Sequence, residues 1–430
     1  MKIKDTRKYW MWLSHACGAG SKVAVSLVRH FGNAYNVYCC DEDSLADCNF
    51  RVDKRIRSNL LYKDISDEED IIRWCDSIGV RIICPDDTLY PLSLRALVDA
   101  PMVLYTLGVL PDFENTFTCA VVGTRSMSEY GREMSYKFGH GLASGGAGLV
   151  SGLALGCDAM AMKGALDAGG TTVAVLGCGI DVVYPKENEA LLERVLNSGA
   201  VITEFSPGVS PLRKNFPIRN RIISGISQSV CVIEGNMRSG SLITARHAVY
   251  QGRELFAVPG KVGEIGAEGT NHLIKNGAEA VTSPEDILSR YELIYPHTID
   301  IKNIVTPVVE NKTEDENIRI LTKKKKKSTV KNKKTKEEIF SKSAKPSGNV
   351  DFDSLSEEEK RVYRAMMPDI PMLAEEICNV SGMPVSTVMA SLTLLEISGA
   401  VESGAGGYFM RHADDEEVGE PAITELDEGI

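Results

Sequence analysis

The sequence predicts an α/β protein: a Rossmann-like, doubly wound, mostly parallel sheet, with an N-terminal helical domain and a C-terminal winged helix. Three observations predict it. Short β-branched runs alternate with helical stretches from 89 to 298. A glycine stands just after strand upon strand in that block. A segment of roughly 60 residues near the end reads as three helices and a hairpin, the winged-helix pattern.

Residues 1–88 form the first domain. Leu13 and Ala16 lead to Gly18-Ala19-Gly20, then Val23, Val25, Leu27 and Val28 lead to Phe31-Gly32. Two helices flanking a Gly-x-Gly turn have the layout of a helix-hairpin-helix (SAM-like) domain, in which the turn offers backbone N–H groups to a phosphate. A plain tight turn in a helical bundle fits the same residues, and only Lys22 lies near to support the phosphate reading.

In 89–298 the strands are expected at 118–122, 148–151, 172–176, 200–203, 229–233 and 255–258, and the helices at 128–142, 157–168, 186–197 and 242–251. Strands that are apolar throughout imply a parallel sheet covered on both faces. The segment 299–350 reads as a Lys-rich linker: 301–350 holds fourteen Lys/Arg against six Asp/Glu, a net of +8. The winged helix follows at 351–412. Its second unit, 384–395, carries no Lys or Arg, which favours protein contact over DNA contact there. The tail 413–430 has eight acids and no base. Like-charge blocks of this kind are solvated spacers.

Composition excludes several classes. Apolar residues make 43% and charged residues 25%, which rules out a fibrous or wholly disordered chain. No apolar window of membrane-spanning length occurs, so a cytoplasmic protein is expected. Eleven cysteines, an odd number, show no CxxC or metal spacing, and the histidines stand apart, so neither a disulfide framework nor a metal site is expected. No P-loop and no complete GxGxxG occurs, and no cofactor is expected.

The chemistry gathers at one sheet edge. In open parallel sheets ligands bind beyond the carboxyl ends of the strands. There the turns read Gly123-Thr124-Arg125, Ser151-Gly152, Gly177-Cys178-Gly179, and Ser239-Gly240-Ser241 opening a helix. Glycine permits close backbone approach, and helix N-termini attract anions, so four such turns form an anion-binding rim. Tight turns need glycine in any case, but four together favour the rim. Beside it, Arg213, Lys214, Phe216, Arg219, Asn220 and Arg221 crowd four cations and one ring into nine residues. Pro217 is expected to hold Phe216 extended. Cations tracking phosphates beside a ring that stacks a base suit single-stranded nucleic acid. A surface ion-pair cluster with Phe216 in the core is the rival reading.

These stretches resemble the DprA/Smf family of DNA-processing proteins. The resemblance rests on GTRSMSEYG (123–131), SGLALGCDAMAMKGAL (151–166), VLGCGIDVVYPKEN (175–188), FPIRNRIISGIS (216–227), IEGNMRSGSLITARHAV (233–249), FAVPG (256–260) and GTNHLIKNGA (269–278), in the family's order. It implies a homodimer built through the Rossmann-like domain. It implies binding of single-stranded DNA without turnover, protection of incoming strands in natural transformation, and loading of the recombinase RecA. Carried to these positions, it implies a DNA pocket of Arg125, the basic segment before Phe216, Phe216, Arg219 and Arg221, with the Ser-Gly-Ser turn at 239–241. Phosphates would rest on Gly123, Ser151-Gly152 and Ser239–Ser241. The long lysine-rich linker and the acidic tail depart from the family pattern. Two other classes stand beside this reading: a nucleotide phosphoribohydrolase using Glu204 or Glu234, although its PGGxGT loop is missing, and a transcriptional regulator acting through the winged helix.

Overall fold

The computed structural model describes residues 5–305 and 355–411, except 369, 399, 405 and 406. The Lys-rich stretch beyond 305 and the acidic tail lie outside the described residues.

Six helices come first: α1 (Arg7–Cys17), α2 (Lys22–Phe31), α3 (Ala34–Cys39), α4 (Glu42–Ala46), α5 (Lys54–Leu61) and α6 (Ser66–Ile78). Ser21 caps α2 by accepting the Ala24 N–H, and Gly32 ends it at φ 91°. The Gly-x-Gly turn faces inward. The Gly20 N–H donates to Glu204 Oε1 at 3.1 Å, and a Cβ on Gly20 would stand 3.1 Å from Ile218 Cγ2. That N–H is committed inside the protein, so the turn packs against its neighbours instead of reaching for a phosphate.

The sheet contains β1 (Arg81–Ile83), β2 (Leu104–Gly108), β3 (Thr118–Val122), β4 (Gly148–Ser151), β5 (Thr172–Val175), β6 (Gly199–Thr203), β7 (Ser229–Val232), β8 (Glu254–Ala257) and β9 (Glu279–Ala280). Their spatial order is β1-β2-β6-β5-β4-β3-β7-β8-β9. The seven strands from β6 to β9 are parallel, and β2 and β1 extend the edge antiparallel. The sheet thus begins at Arg81, inside the stretch read as purely helical, because α6 stops at Gly79 (φ 78°) and the next residues pair with β2.

The helices among these strands are α7 (Leu92–Arg95), α8 (Glu129–Ser144), α9 (Cys157–Asp167), α10 (Glu189–Ser198), α11 (Asn215–Gly225), α12 (Gly240–Tyr250), α13 (Glu268–Lys275) and α14 (Pro284–Tyr291). Strand side chains alternate between two cores. Ala120, Val122, Val173, Val175 and Val230 face the N-terminal helices together with α11 and α12. Cys119, Val121, Ala174 and Cys231 face α8, α9, α10 and α14. Burial on both faces explains why these strands read as continuous apolar runs.

One local expectation is corrected here. Phe216 is not extended: it and Pro217 lie in the first turn of α11. In that turn the missing proline N–H has no intrahelical acceptor to lose, so the ring favours the helix start.

The winged helix comprises α15 (Glu357–Ala365), β10 (Met372–Leu373), α16 (Ala374–Ser381), α17 (Val385–Ile397), β11 (Val401–Ser403) and β12 (Tyr408–Arg411). The sequence suggests a helix over Met372–Ile377, but Met372 and Leu373 form a third strand paired with β12. The unit has its own core of Val362, Ile377, Val388, Leu392 and Leu395. Among the described residues no single helix is long and apolar enough to cross a membrane.

Candidate functional site

The chain runs from β3 outward through β4, β5 and β6, then returns to lay β7 on the other side of β3. Loops leaving β3 and β7 therefore diverge, and such a reversal opens a crevice at the carboxyl edge. Gly123 to Ser126 line one wall and Asn236 to Ser241 the other, with Phe216, Pro217, Arg219 and Asn220 of α11 between them. The cavity measures about 360 Å³. A smaller one on the far side of Phe216 is lined by Gly152, Gly177 and Tyr184.

The floor is built around a buried carboxylate. Asp158, in the first turn of α9, accepts the Gly152 N–H at 3.0 Å and the Gly123 N–H at 3.3 Å. Burial pushes its pKa up, and the Arg219 guanidinium opposes that shift. Arg219 is itself only 4% exposed. Its Nη1 donates to Gly152 O at 2.7 Å and to Val175 O, and its Nε donates to Asn220 Oδ1 at 3.1 Å. Burial lowers the Arg219 pKa, and Asp158 restores part of the loss. Gly152 is small because Arg219 lies there: a Cβ would meet the guanidinium at 2.7 Å.

This corrects the expected phosphate cradle. The Gly123 and Gly152 N–H groups already donate to the buried Asp158 carboxyl, so neither is left for a phosphate. Ser151 is fully buried, its Oγ donating to Val121 O at 2.7 Å, so it reaches neither cavity. Arg221 is corrected too. It is 2% exposed, bonds the Glu204 carboxylate through Nη2, and holds Nε 3.8 Å from Asp99 Oδ2, under the N-terminal helices. Its distance from the crevice follows from helix geometry, since residues two apart on α11 project to different sides.

The mouth is different. Arg125 is exposed, with its guanidinium carbon 5.2 Å from the centre of the Phe216 ring; that of Arg219 lies 5.7 Å away. Tyr184 adds a tilted ring at 5.6 Å. Two guanidinium groups and a second ring thus lie around Phe216. Arg213 and Lys214 are exposed at the entry to α11, outside both cavity linings. Arg238 is exposed on the crevice wall. None of these four makes an ion pair with a described residue.

Ser239 is the N-cap of α12, Gly240 faces open space, and Asn220 Nδ2 steadies the turn by donating to Gly240 O at 3.2 Å. Ser241 Oγ is buried and has no hydrogen-bond partner among the described residues. The N-terminus of α12 thus lines the same crevice as Arg125 and Arg238, and helix N-termini favour anions.

The structure therefore brings Gly123, Arg125, Phe216, Arg219, Asn220, Ser239, Gly240 and Ser241 to one crevice, places Gly152 at its neighbour, and leaves Ser151, Arg213, Lys214 and Arg221 outside both. Sequence reasoning missed Arg238, Asp158 and Tyr184. Arg238 directly precedes the Ser-Gly-Ser turn, and Asp158 is the sole acid in 151–166, so each carried a visible signal. The acids of the rival hydrolase reading are both committed. Glu204 holds Arg221 and Gly20, and Glu234 accepts the Ser128 N–H at 3.0 Å and its Oγ–H at 3.1 Å.

Fold and crevice together define a doubly wound α/β protein with a crevice at its topological switch point. Comparison with known proteins narrows this. The family model described as DNA recombination-mediator protein A matches residues 81–292, and the DprA winged helix domain matches 351–407. Protein Smf of Escherichia coli is 44% identical over 225 residues, covering 52% of this chain and 60% of that protein. The DNA processing protein DprA of Streptococcus pneumoniae is 44% identical over 206 residues, covering 48% of this chain and 72% of that one. A crystal structure of the Streptococcus pneumoniae DprA superposes with a TM-score of 0.58 at 33% identity, covering 67% of this chain and 98% of that one. The chain belongs to the DprA/Smf family.

Proposed function

We propose that this chain binds single-stranded DNA across the mouth of the switch-point crevice, by contact and without turnover. One observation carries the reading: Arg125 and Arg238, exposed and outside any ion pair with described residues, face the start of α12, where Ser241 Oγ lacks a partner. A phosphate at Ser239–Ser241 meets free helix N–H groups and two cations. Arg213 and Lys214 extend the positive edge along α11. Such contacts carry no base information, so binding is sequence-tolerant.

The wider role we propose is that of a recombination mediator: protecting an incoming strand during transformation and handing it to RecA. The family description supports this reading. A homodimer through the sheet domain belongs to the same proposal, and Val262 and Ile265, 91% and 69% exposed in the loop after β8, support it as apolar surface awaiting cover.

Fluorescence anisotropy with labelled oligothymidylate across a salt series tests the site. Affinity falls with salt at about 0.7 in log–log slope per phosphate neutralised. Arg125→Ala with Arg238→Ala is expected to weaken binding and flatten that slope by about 1.4, two contacts' worth. An unchanged slope places the strand elsewhere.

A further inference from the structure

The winged helix meets the rest of the protein through charge. Glu402 of β11 accepts, on one oxygen, from Lys22 Nζ of α2 at 2.6 Å and from Tyr250 Oη of α12 at 2.9 Å. Glu376 of α16 accepts from Arg246 Nη2 of α12. Its other oxygen takes the Leu373 N–H at 2.9 Å, which holds the carboxylate in place. Beside these pairs Gly404 lies flat on Tyr250: a Cβ there would stand 1.9 Å from Tyr250 Cδ2, so a side chain would force the wing away. The apolar core of the winged helix is closed within itself. The contact is therefore polar, and polar contacts between domains permit relative motion.

Helix α12 joins this contact to the crevice. Ser239, Ile243, Arg246 and Tyr250 follow one another at spacings of four, three and four, which is a single stripe along a helix. Ser239 and Ile243 line the crevice, while Arg246 and Tyr250 carry the winged helix. Arg246 lies about 10 Å along the axis from Ser239. In the docked state it is 11% exposed and Lys22 is 17% exposed, each against a carboxylate.

Resting on the single-strand reading of the crevice, we propose that Arg246 and Lys22 are further phosphate contacts of the same strand, and that Glu376 and Glu402 stand in for those phosphates while the winged helix is docked. Strand and winged helix compete for two cations. A strand already held at Ser239–Ser241 presents its next phosphates at high local concentration, which favours exchange of carboxylate for phosphate. The acidic surface of the winged helix thus acts as a cover over part of the track. It needs no cation on α17, the helix that was too poor in charge to read DNA.

The experiment uses the full chain and labelled oligothymidylate in the same salt series. Glu376→Gln with Glu402→Gln is expected to tighten binding several-fold, since no carboxylate then has to be displaced. Adding Arg246→Gln and Lys22→Gln to that variant is expected to cancel the gain and to flatten the salt slope by about 1.4, two contacts' worth. In the wild-type chain, oligonucleotide is expected to speed hydrogen exchange in β11 and β12. The proposal is overturned if the carboxamide variant binds like wild type, if its gain survives loss of both cations, or if exchange in β11 and β12 does not change. Indifference to Arg125→Ala with Arg238→Ala strikes the crevice reading instead, so the two failures are distinguishable.

Discussion

Arg219 and Arg125 sit on the same phenyl ring and do different work. Arg219 is buried among strand-end carbonyls and faces Asp158; Arg125 is exposed. Arg219 makes no ion pair with a described residue; it satisfies the Gly152 and Val175 carbonyls, and leaving buried acceptors unsatisfied costs about 1–3 kcal/mol. Arg219→Met is therefore expected to lose stability on that scale in urea denaturation, and Arg219→Met with Asp158→Asn to recover a part of it, because Arg219 also opposes the burial of the Asp158 charge. Arg125→Ala, at an exposed site, is expected to stay within about 0.5 kcal/mol of wild type while weakening strand binding. Equal stability losses for the two single variants would contradict this division. Sequence alone shows that cations cluster at 213–221 but not which are spent on internal carboxylates. Read as extended chain, 219 and 221 share a side; wound into α11, one reaches the strand ends and the other Glu204.

At the scale of elements, caps and glycines show how the edge is held. Asp286 in α14 accepts the N–H groups of Thr282 at 2.7 Å and Ser283 at 2.9 Å. Burial pushes its pKa up, but these hydrogen bonds outweigh that and leave it below the ordinary value. A carboxylate so depressed supplies stability above its unfolded pKa of about 3.9 and loses it as pH falls toward the folded value. Asp286→Asn is expected to melt below wild type at pH 7, by about 1 kcal/mol, and the two melting temperatures to converge below about pH 4. A gap that persists at low pH would show that the cap acts through shape alone. Elements differ in how plainly they appear in sequence. Strands β3 to β8 are legible because burial on both faces demands apolar runs. Arg81-Ile82-Ile83 and Glu279-Ala280 are too short to announce themselves at the sheet margins, and Glu279-Ala280 is exposed besides. The start of α11 is hidden by its proline, which reads as an interruption although a first turn accepts it.

Across the whole molecule, the N-terminal helices and one sheet face share a single apolar core, in which Trp10, Trp12 and Leu13 join the cluster that holds Tyr105, Val173 and Val230. The buried Arg221–Glu204 pair and the Gly20 turn lie at that same junction. A chain beginning at Arg81 is thus expected to expose that face, to lose cooperative unfolding and to aggregate, as followed by size-exclusion chromatography and calorimetry. A monodisperse, fully cooperative truncated chain would show the helices to be an independent appendage. That the N-terminal helices and the sheet share one interior is not legible in the sequence, because composition says nothing of which faces meet.

The floor carboxylate Asp158 has a final consequence. A cavity whose base already holds a buried carboxyl, with the floor N–H groups spent on it, is expected to have little appetite for a lone mononucleotide. On the proposed reading grip comes from cations spread along the brim, each weak alone, so a polymer laid over many points is expected to be retained and its monomers to drift off.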